Sequence, residues 1–195
     1  MGYNSNLVIN RLKGELLRLK SELLRARVEN RKLKNQLALY KEAAYKDSLT
    51  NLNNRRSLES ISDYDCLILG DIDHFKIIND TYGHLVGDEV LVEISSVFRQ
   101  FIRETDYVCR WGGEEFLIFL KNCDDEDAYG KANILREKIM ELSDEFGFQI
   151  TMSFGVSNLS DSTLEDAIKN ADEAMYESKN NGRNRVTVYQ LKKKK

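Results

Sequence analysis

Three carboxylates in this sequence stand where an apolar run meets a turn. Asp71 is expected to end a buried strand passing through Cys66-Leu67-Ile68-Leu69, and Glu114-Glu115 follow the pair Gly112-Gly113. Adjacent carboxylates repel each other unless a cation offsets them. Hard oxygen donors of this kind suit Mg²⁺ or Mn²⁺, which bind through one or two carboxylates plus substrate phosphates. Glycines at the turn let backbone approach a bulky ligand closely. A metal–nucleotide site is one reading of this spacing. Solvated glutamates at a hairpin tip are the other, and spacing alone leaves both open.

The elements that must position these groups are legible in the apolar pattern. A buried strand is predicted over Asp65 to Gly70, followed by a long helix with Val90, Leu91, Ile94, Val97, Phe98, Phe101 and Ile102 on one face. Tyr107 to Trp111 and Glu115 to Leu120 read as two short strands joined through Gly112-Gly113. A helix from about Asp125 to Leu142, a strand from Phe148 to Val156, a helix from Thr163 to Asn180 and a strand from Arg185 to Tyr189 complete the series. Alternating strands and helices around one central hairpin predict an α/β domain, a mixed sheet covered by helices, over residues 46–191.

Residues 1–45 follow a different rhythm. Ile9, Leu16, Leu23, Asn30, Leu37 and Ala44 alternate at spacings of three and four with Leu12, Leu19, Ala26, Leu33 and Tyr40, filling heptad positions a and d. Glu15, Glu22 and Glu29 at g precede Lys20, Arg27 and Lys34 at e. Such g–e pairs meet across the seam only when two helices run parallel and in register. Asn30 at an a position is satisfied by its own copy and penalises slipped registers. A parallel homodimer through residues 9–44 is expected.

Composition narrows the function classes. The 195 residues carry 42% hydrophobic side chains and a net charge of −3, enough for a core and too balanced for a polyanion-binding protein, so no nucleic-acid partner is expected. The Lys192–Lys195 tail reads as a solvated end. Cys66, Cys109 and Cys123 have no ligand-like spacing and read as free thiols of a reducing compartment. No apolar stretch approaches ~18 residues and no signal core is evident, so neither membrane insertion nor export is expected and the location is read as cytoplasmic.

Five ordered blocks carry a family resemblance. They are Asp47-Ser48-Leu49-Thr50-Asn51-Leu52-Asn53-Asn54-Arg55-Arg56; Asp71-Ile72-Asp73-His74-Phe75-Lys76-Ile77-Ile78-Asn79-Asp80 with Tyr82-Gly83-His84 and Gly87-Asp88; Gly112-Gly113-Glu114-Glu115-Phe116; Thr151-Met152-Ser153-Phe154-Gly155; and Ala171-Asp172 through Lys179 to Gly182-Arg183-Asn184. From about Tyr45 to Gln190 the chain resembles the GGDEF diguanylate cyclases, in a GGEEF form. The resemblance implies a palm-like α+β fold, similar to nucleotidyl cyclases, that condenses two GTP into cyclic di-GMP and two pyrophosphates across a homodimer. It further implies two Mg²⁺ (or Mn²⁺) per site, held by Asp71, the Ile72 carbonyl, Glu114 and Glu115. Glu114 would also accept the proton of the attacking hydroxyl. Lys76, Lys179 and Arg183 would meet the phosphates, Asn79 and Asp88 the guanine, and Phe75, Gly112 and Gly113 would border the substrate. Arg103-Glu104-Thr105-Asp106 stands where the family binds its product as an inhibitor, with Arg136 as the candidate assisting arginine and Ile134 in competition for that place. Asn51 replaces the usual glycine of the opening block and is expected to hold a left-handed turn.

Overall fold

Period-two alternation along the central strands sorts the sheet into two apolar faces, and each face selects its helices. In the computed structural model, residues 3–159 and 162–190 are described, so the Lys192–Lys195 tail lies outside the described residues. The strands are β1 (Asn53–Asn54), β2 (Cys66–Ile72), β3 (Tyr107–Arg110), β4 (Glu115–Leu120), β5 (Met152–Asn158) and β6 (Val186–Val188). They form one mixed sheet in the order β1-β3-β4-β2-β5-β6. β2 runs antiparallel to both β4 and β5, while β1 beside β3 and β6 beside β5 are parallel. The helices are α1 (Tyr3–Tyr45), α2 (Phe75–Tyr82), α3 (His84–Phe101), α4 (Asp125–Phe146) and α5 (Leu164–Asn180), with a short 3₁₀ helix at Arg55–Ser60.

Cys66, Ile68 and Ile72 of β2, with Phe116, Ile118 and Leu120 of β4, pack into a core with Val90, Ile94 and Phe98 of α3 and Leu135 and Ile139 of α4. Leu67 and Leu69, with Leu117 and Phe119, face Ala167, Ala171 and Met175 of α5 on the other side. The mixed sheet covered by helices is the expected fold. By the same alternation Asp71 and Glu115 belong to the α5 face.

Several boundaries differ from the sequence reading. β2 continues through Asp71 to Ile72, so Asp71 lies within a paired strand and not at its end. The expected start of β5 at Phe148 is wrong because the chain first turns back on itself. Gly147 ends α4 in a left-handed conformation, Phe148 stacks on Tyr82 at 4.1 Å, and Ile150 N bonds Ser143 Oγ at 2.9 Å. A separate helix, α2, precedes α3, and Gly83 at φ 91° divides them. Asn51 adopts the left-handed turn expected of it, at φ 57°.

The chain divides into two units, residues 1–44 and 45–195. α1 is unbroken through Gly14 and fits a coiled coil. Its a and d side chains, among them Ile9, Leu16, Leu19, Leu23, Leu33 and Leu37, are exposed on the single chain. Intrahelical pairs Arg11–Glu15 at 3.8 Å and Arg18–Glu22 at 3.0 Å use two of the g-position glutamates. Exposed pairs of this type contribute only ~0.3–0.5 kcal/mol, so the helix has little to hold it beyond its unburied seam. Among the described residues no helix is long and apolar enough to cross a membrane.

α5 lies directly on β5 because Gly155 has no side chain. A Cβ there would collide with the backbone of Ala171 and Met175. We expect Gly155→Ala to cost about 3 kcal/mol, the upper range for overpacking, since backbone and not a side-chain tip must move. Denaturant unfolding measures this; a loss under about 1 kcal/mol would show that α5 shifts freely.

Candidate active site

The site is built at one end of β2, where the pleat places acids and a cation on the same face. Asp71 is the register partner of Glu115 on β4 and of Ser153 on β5. Lys179, in the last turn of α5, reaches across that face and places Nζ 2.9 Å from Asp71 Oδ1. Glu114 precedes Glu115 at the tip of the β3–β4 hairpin, and its carbonyl accepts from Ile72 N at 3.3 Å. Gly112 lies over the Glu115 carboxylate, since a Cβ there would stand 2.7 Å from Glu115 Oε2.

The electrostatics follow from this crowding. Burial pushes Asp71 up from the ordinary carboxylate value; the Lys179 hydrogen bond and charge pull it back, and Asp73 and Asp172 oppose that. Glu114 and Glu115 are also raised, first by desolvation and next by repulsion from Asp71, with Lys179 lowering both. Among the described residues no three acidic, imidazole or thiol groups are gathered into a ready-made metal cage. The donors present are two or three carboxylates short of countercharge. That set fits a divalent ion whose remaining ligands come from substrate phosphates and water.

The hairpin tip is braced from outside. Arg110 donates from Nε and Nη2 to Gly113 O at 3.1 and 2.7 Å, and from Nη1 to Asp47 Oδ1 at 3.0 Å. Asp47 also accepts from Thr50 N at 2.9 Å and Thr50 Oγ1 at 2.7 Å. Burial pushes the Asp47 carboxyl up, but the Thr50 donors and then Arg110 outweigh it and hold the group below its usual range. The residues just after α1 are thus tied to the glycine turn.

Other expected site residues fall in varied places. Asn79 lies over Gly87, in the space a side chain at that position would fill, and Asp88 is the next residue along α3, exposed to solvent. Phe75 is a buried core residue beneath them. Lys76 is not brought to the carboxylates; its Nζ is on the outer side of α2, 2.8 Å from Asp80 Oδ2. Arg183 is half-buried in a turn just past α5, its N donating to Ser178 O at 3.0 Å, next to Lys179. Arg103 and Asp106 line one groove with Lys131 and Ile134. Arg136 is not among that groove's walls, because its guanidinium is committed to Asn184, Asn133 and Glu137. Ile134, the competitor for the assisting position, is among the groove's walls.

Residues 44–185 match the family described as diguanylate cyclase, GGDEF domain. The chain belongs to the GGDEF family. The chain is 42% identical over 127 residues to diguanylate cyclase A of Treponema denticola, covering 63% of this chain and 34% of that protein. It is 36% identical over 171 residues to diguanylate cyclase DgcM of Escherichia coli K12, covering 81% of this chain and 41% of that one. The chain therefore spans less than half the length of either relative. The crystal structure of the coiled coil and GGDEF domain of DgcB from Caulobacter crescentus, in complex with c-di-GMP, superposes with a TM-score of 0.74 at 29% identity, covering 87% of this chain and 98% of that one.

Asp73, Asp47 and Arg110 received no role from the sequence reading. The second acid of Asp71-Ile72-Asp73 was the available signal for Asp73; an arginine two residues before Gly112 was the signal for Arg110.

The raised carboxylates make a pH prediction for the GGDEF domain. Where a folded-state carboxylate pKa exceeds the unfolded value, the folded state binds more protons between the two, and stability falls as pH rises through that window. Here the window opens at the ordinary values of 3.8 for Asp71 and 4.5 for Glu114 and Glu115 and extends upward. Without added divalent ion, Glu114→Gln is expected to raise Tm at neutral pH by about 2 °C. The gain should vanish below about pH 4. A variant that melts lower than its parent at neutral pH would contradict the assigned repulsion.

Proposed function

We propose that this chain is a diguanylate cyclase that condenses two GTP into cyclic di-GMP and two pyrophosphates across a parallel homodimer. The observation that carries the reading is the register pairing of Asp71 with Glu115 beside the glycine turn, with Lys179 paired to Asp71. Membership of the family supports the same activity.

Asp71, the Ile72 carbonyl, Glu114 and Glu115 would hold two Mg²⁺ or Mn²⁺ ions. When bound, such ions supply Lewis-acid stabilisation of the attacking and leaving oxygens of an in-line displacement. The chain's own residues do the rest. Lys179 and Arg183 neutralise the β- and γ-phosphates, and Lys76 joins them only by leaving Asp80. Asn79 and Asp88 read guanine, whose N1–H and 2-amino group together suit a carboxylate acceptor. Glu114, raised by desolvation and by Asp71, is the proposed acceptor of the attacking hydroxyl's proton. The 3′-hydroxyl of one GTP loses its proton to Glu114 as its oxygen bonds to the α-phosphorus of the other. The α-phosphorus–oxygen bond to pyrophosphate breaks, and a second such displacement with the roles of the two nucleotides exchanged closes the ring and releases the second pyrophosphate.

One domain binds one GTP, so two domains must meet face to face. Tethering through residues 9–44 raises their effective concentration, to about mM for short tethers. The exposed a and d stripe of α1 supports such a tether. The groove at Arg103 and Asp106 is the proposed product-inhibition site, without Arg136. The three free cysteines accord with a cytoplasmic location.

Incubation of the chain with GTP and Mg²⁺, followed by chromatography, should yield cyclic di-GMP, with Glu115→Ala at least about 100-fold slower. Linear product, or none from the parent chain, would overturn the assignment. Replacing Leu19, Leu23 and Leu33 together by polar residues should give a monomer at nanomolar protein whose turnover per site falls at least about tenfold and recovers on concentration. Sedimentation and initial rates test this, and undiminished nanomolar turnover by a monomer would exclude the tether.

A further inference from the structure

Asp73 is 4% exposed and, among the described residues, forms no ion pair, although it is a carboxylate close enough to Asp71 to raise that group. Burying an unpaired acid is costly unless donors satisfy it. Its donors come from two separate segments. Ser153 Oγ donates to Oδ1 at 2.6 Å and Thr151 Oγ1 to Oδ2 at 2.7 Å, both from the approach to β5 or its first residues. The third is Asn184 N, donating to Oδ2 at 3.0 Å from the turn that follows α5.

That turn is unusual in its backbone. Gly182, Arg183 and Asn184 are consecutive left-handed residues, at φ 109°, 62° and 46°. Glycine and asparagine tolerate this conformation, but Arg183 does not, and a run of three such residues persists only when its surroundings over-determine it. The surroundings are Asp73 on one side and Arg136 on the other. Arg136 Nη1 donates to Asn184 Oδ1 at 3.2 Å, while Asn184 Nδ2 contacts Met140 Sδ at 3.4 Å. Asn184 is therefore gripped at its backbone by β2's extension and at its side chain by α4.

We propose that Asp73 and Arg136 are positioning residues that lock the Gly182–Asn184 turn and thereby fix the backbone that carries Arg183, the proposed phosphate contact four residues after Lys179. The inference rests on the cyclase reading and specifies how this chain selects a triphosphate. Asp73 touches no substrate in this account. Its charge acts through one backbone amide, and the cost of burying it is borne to fix a left-handed turn. Arg136 acts on the same residue from the opposite side and takes no part in the Arg103–Asp106 groove.

The test compares two probes on the 195-residue chain: a guanosine triphosphate analogue with a methylene between the α- and β-phosphates, and guanosine monophosphate. Asp73→Asn and Arg136→Met are each expected to weaken the triphosphate analogue about tenfold and the monophosphate less than about twofold, as loss of one charge-assisted phosphate contact would. Arg183→Ala should give the same pattern, and combining it with either variant should add less than about twofold, because coupled residues are non-additive. In turnover, KM for GTP should rise about tenfold with kcat within about threefold. Equal weakening of both nucleotides, or full additivity with Arg183→Ala, would overturn the proposal and leave Asp73 a core support. Circular dichroism checks folding, and if Asp73→Asn does not fold, Arg136→Met decides the matter alone. A parent chain that binds neither probe sinks the cyclase reading itself, and this inference with it.

Discussion

Like charge held at short range is the constraint on which this structure depends. Asp71, Glu114 and Glu115 converge at one end of the sheet, each raised by burial and by its neighbours. In water such groups would separate. Here they cannot, because Asp71 and Glu115 are register partners in an antiparallel ladder and Glu114 is fixed by a backbone bond to Ile72. Lys179 offsets part of the repulsion. The remainder is an attraction for cations that the fold maintains at the expense of its own stability, as functional sites commonly do.

Holding that arrangement takes apolar packing on both faces of the sheet. Phe116, Ile118 and Ile68 anchor one side of the two central strands against α3 and α4, while Leu67, Leu69 and Leu117 anchor the other against α5. α5 can present Lys179 only because Gly155 admits its backbone so closely. The hairpin tip gains a further brace from Arg110, which spans Gly113 and Asp47. This links the geometry of the glycine turn to the segment where the domain begins.

The heptad seam, the order of strands and helices and the ordered motif blocks were all visible in the sequence. Each depends on local periodicity or on the identity of residues close along the chain, and such patterns survive without knowledge of long-range contacts. Asn51 was legible for the same reason, since tolerance of a left-handed turn belongs to the residue itself. Boundaries were less legible. Phe148 has the apolar character of a strand residue, yet stacking on Tyr82 and the left-handed end of α4 delay β5 to Met152.

The sequence by itself determined which residue types are available for binding a cation and a nucleotide, and that one face of α1 is an apolar stripe broken by Asn30. Tertiary structure alone decided which of them meet. Lys179 reaches Asp71 while Lys76 pairs with Asp80; Arg136 grips Asn184 and not the Arg103–Asp106 groove; Asp73 gathers donors from residues 78, 80 and 111 positions away. These pairings depend on how strands add to a sheet and how far a helix stands from it. Burial and register, which are properties of the assembled layers, set those distances, and no local pattern of residues encodes them.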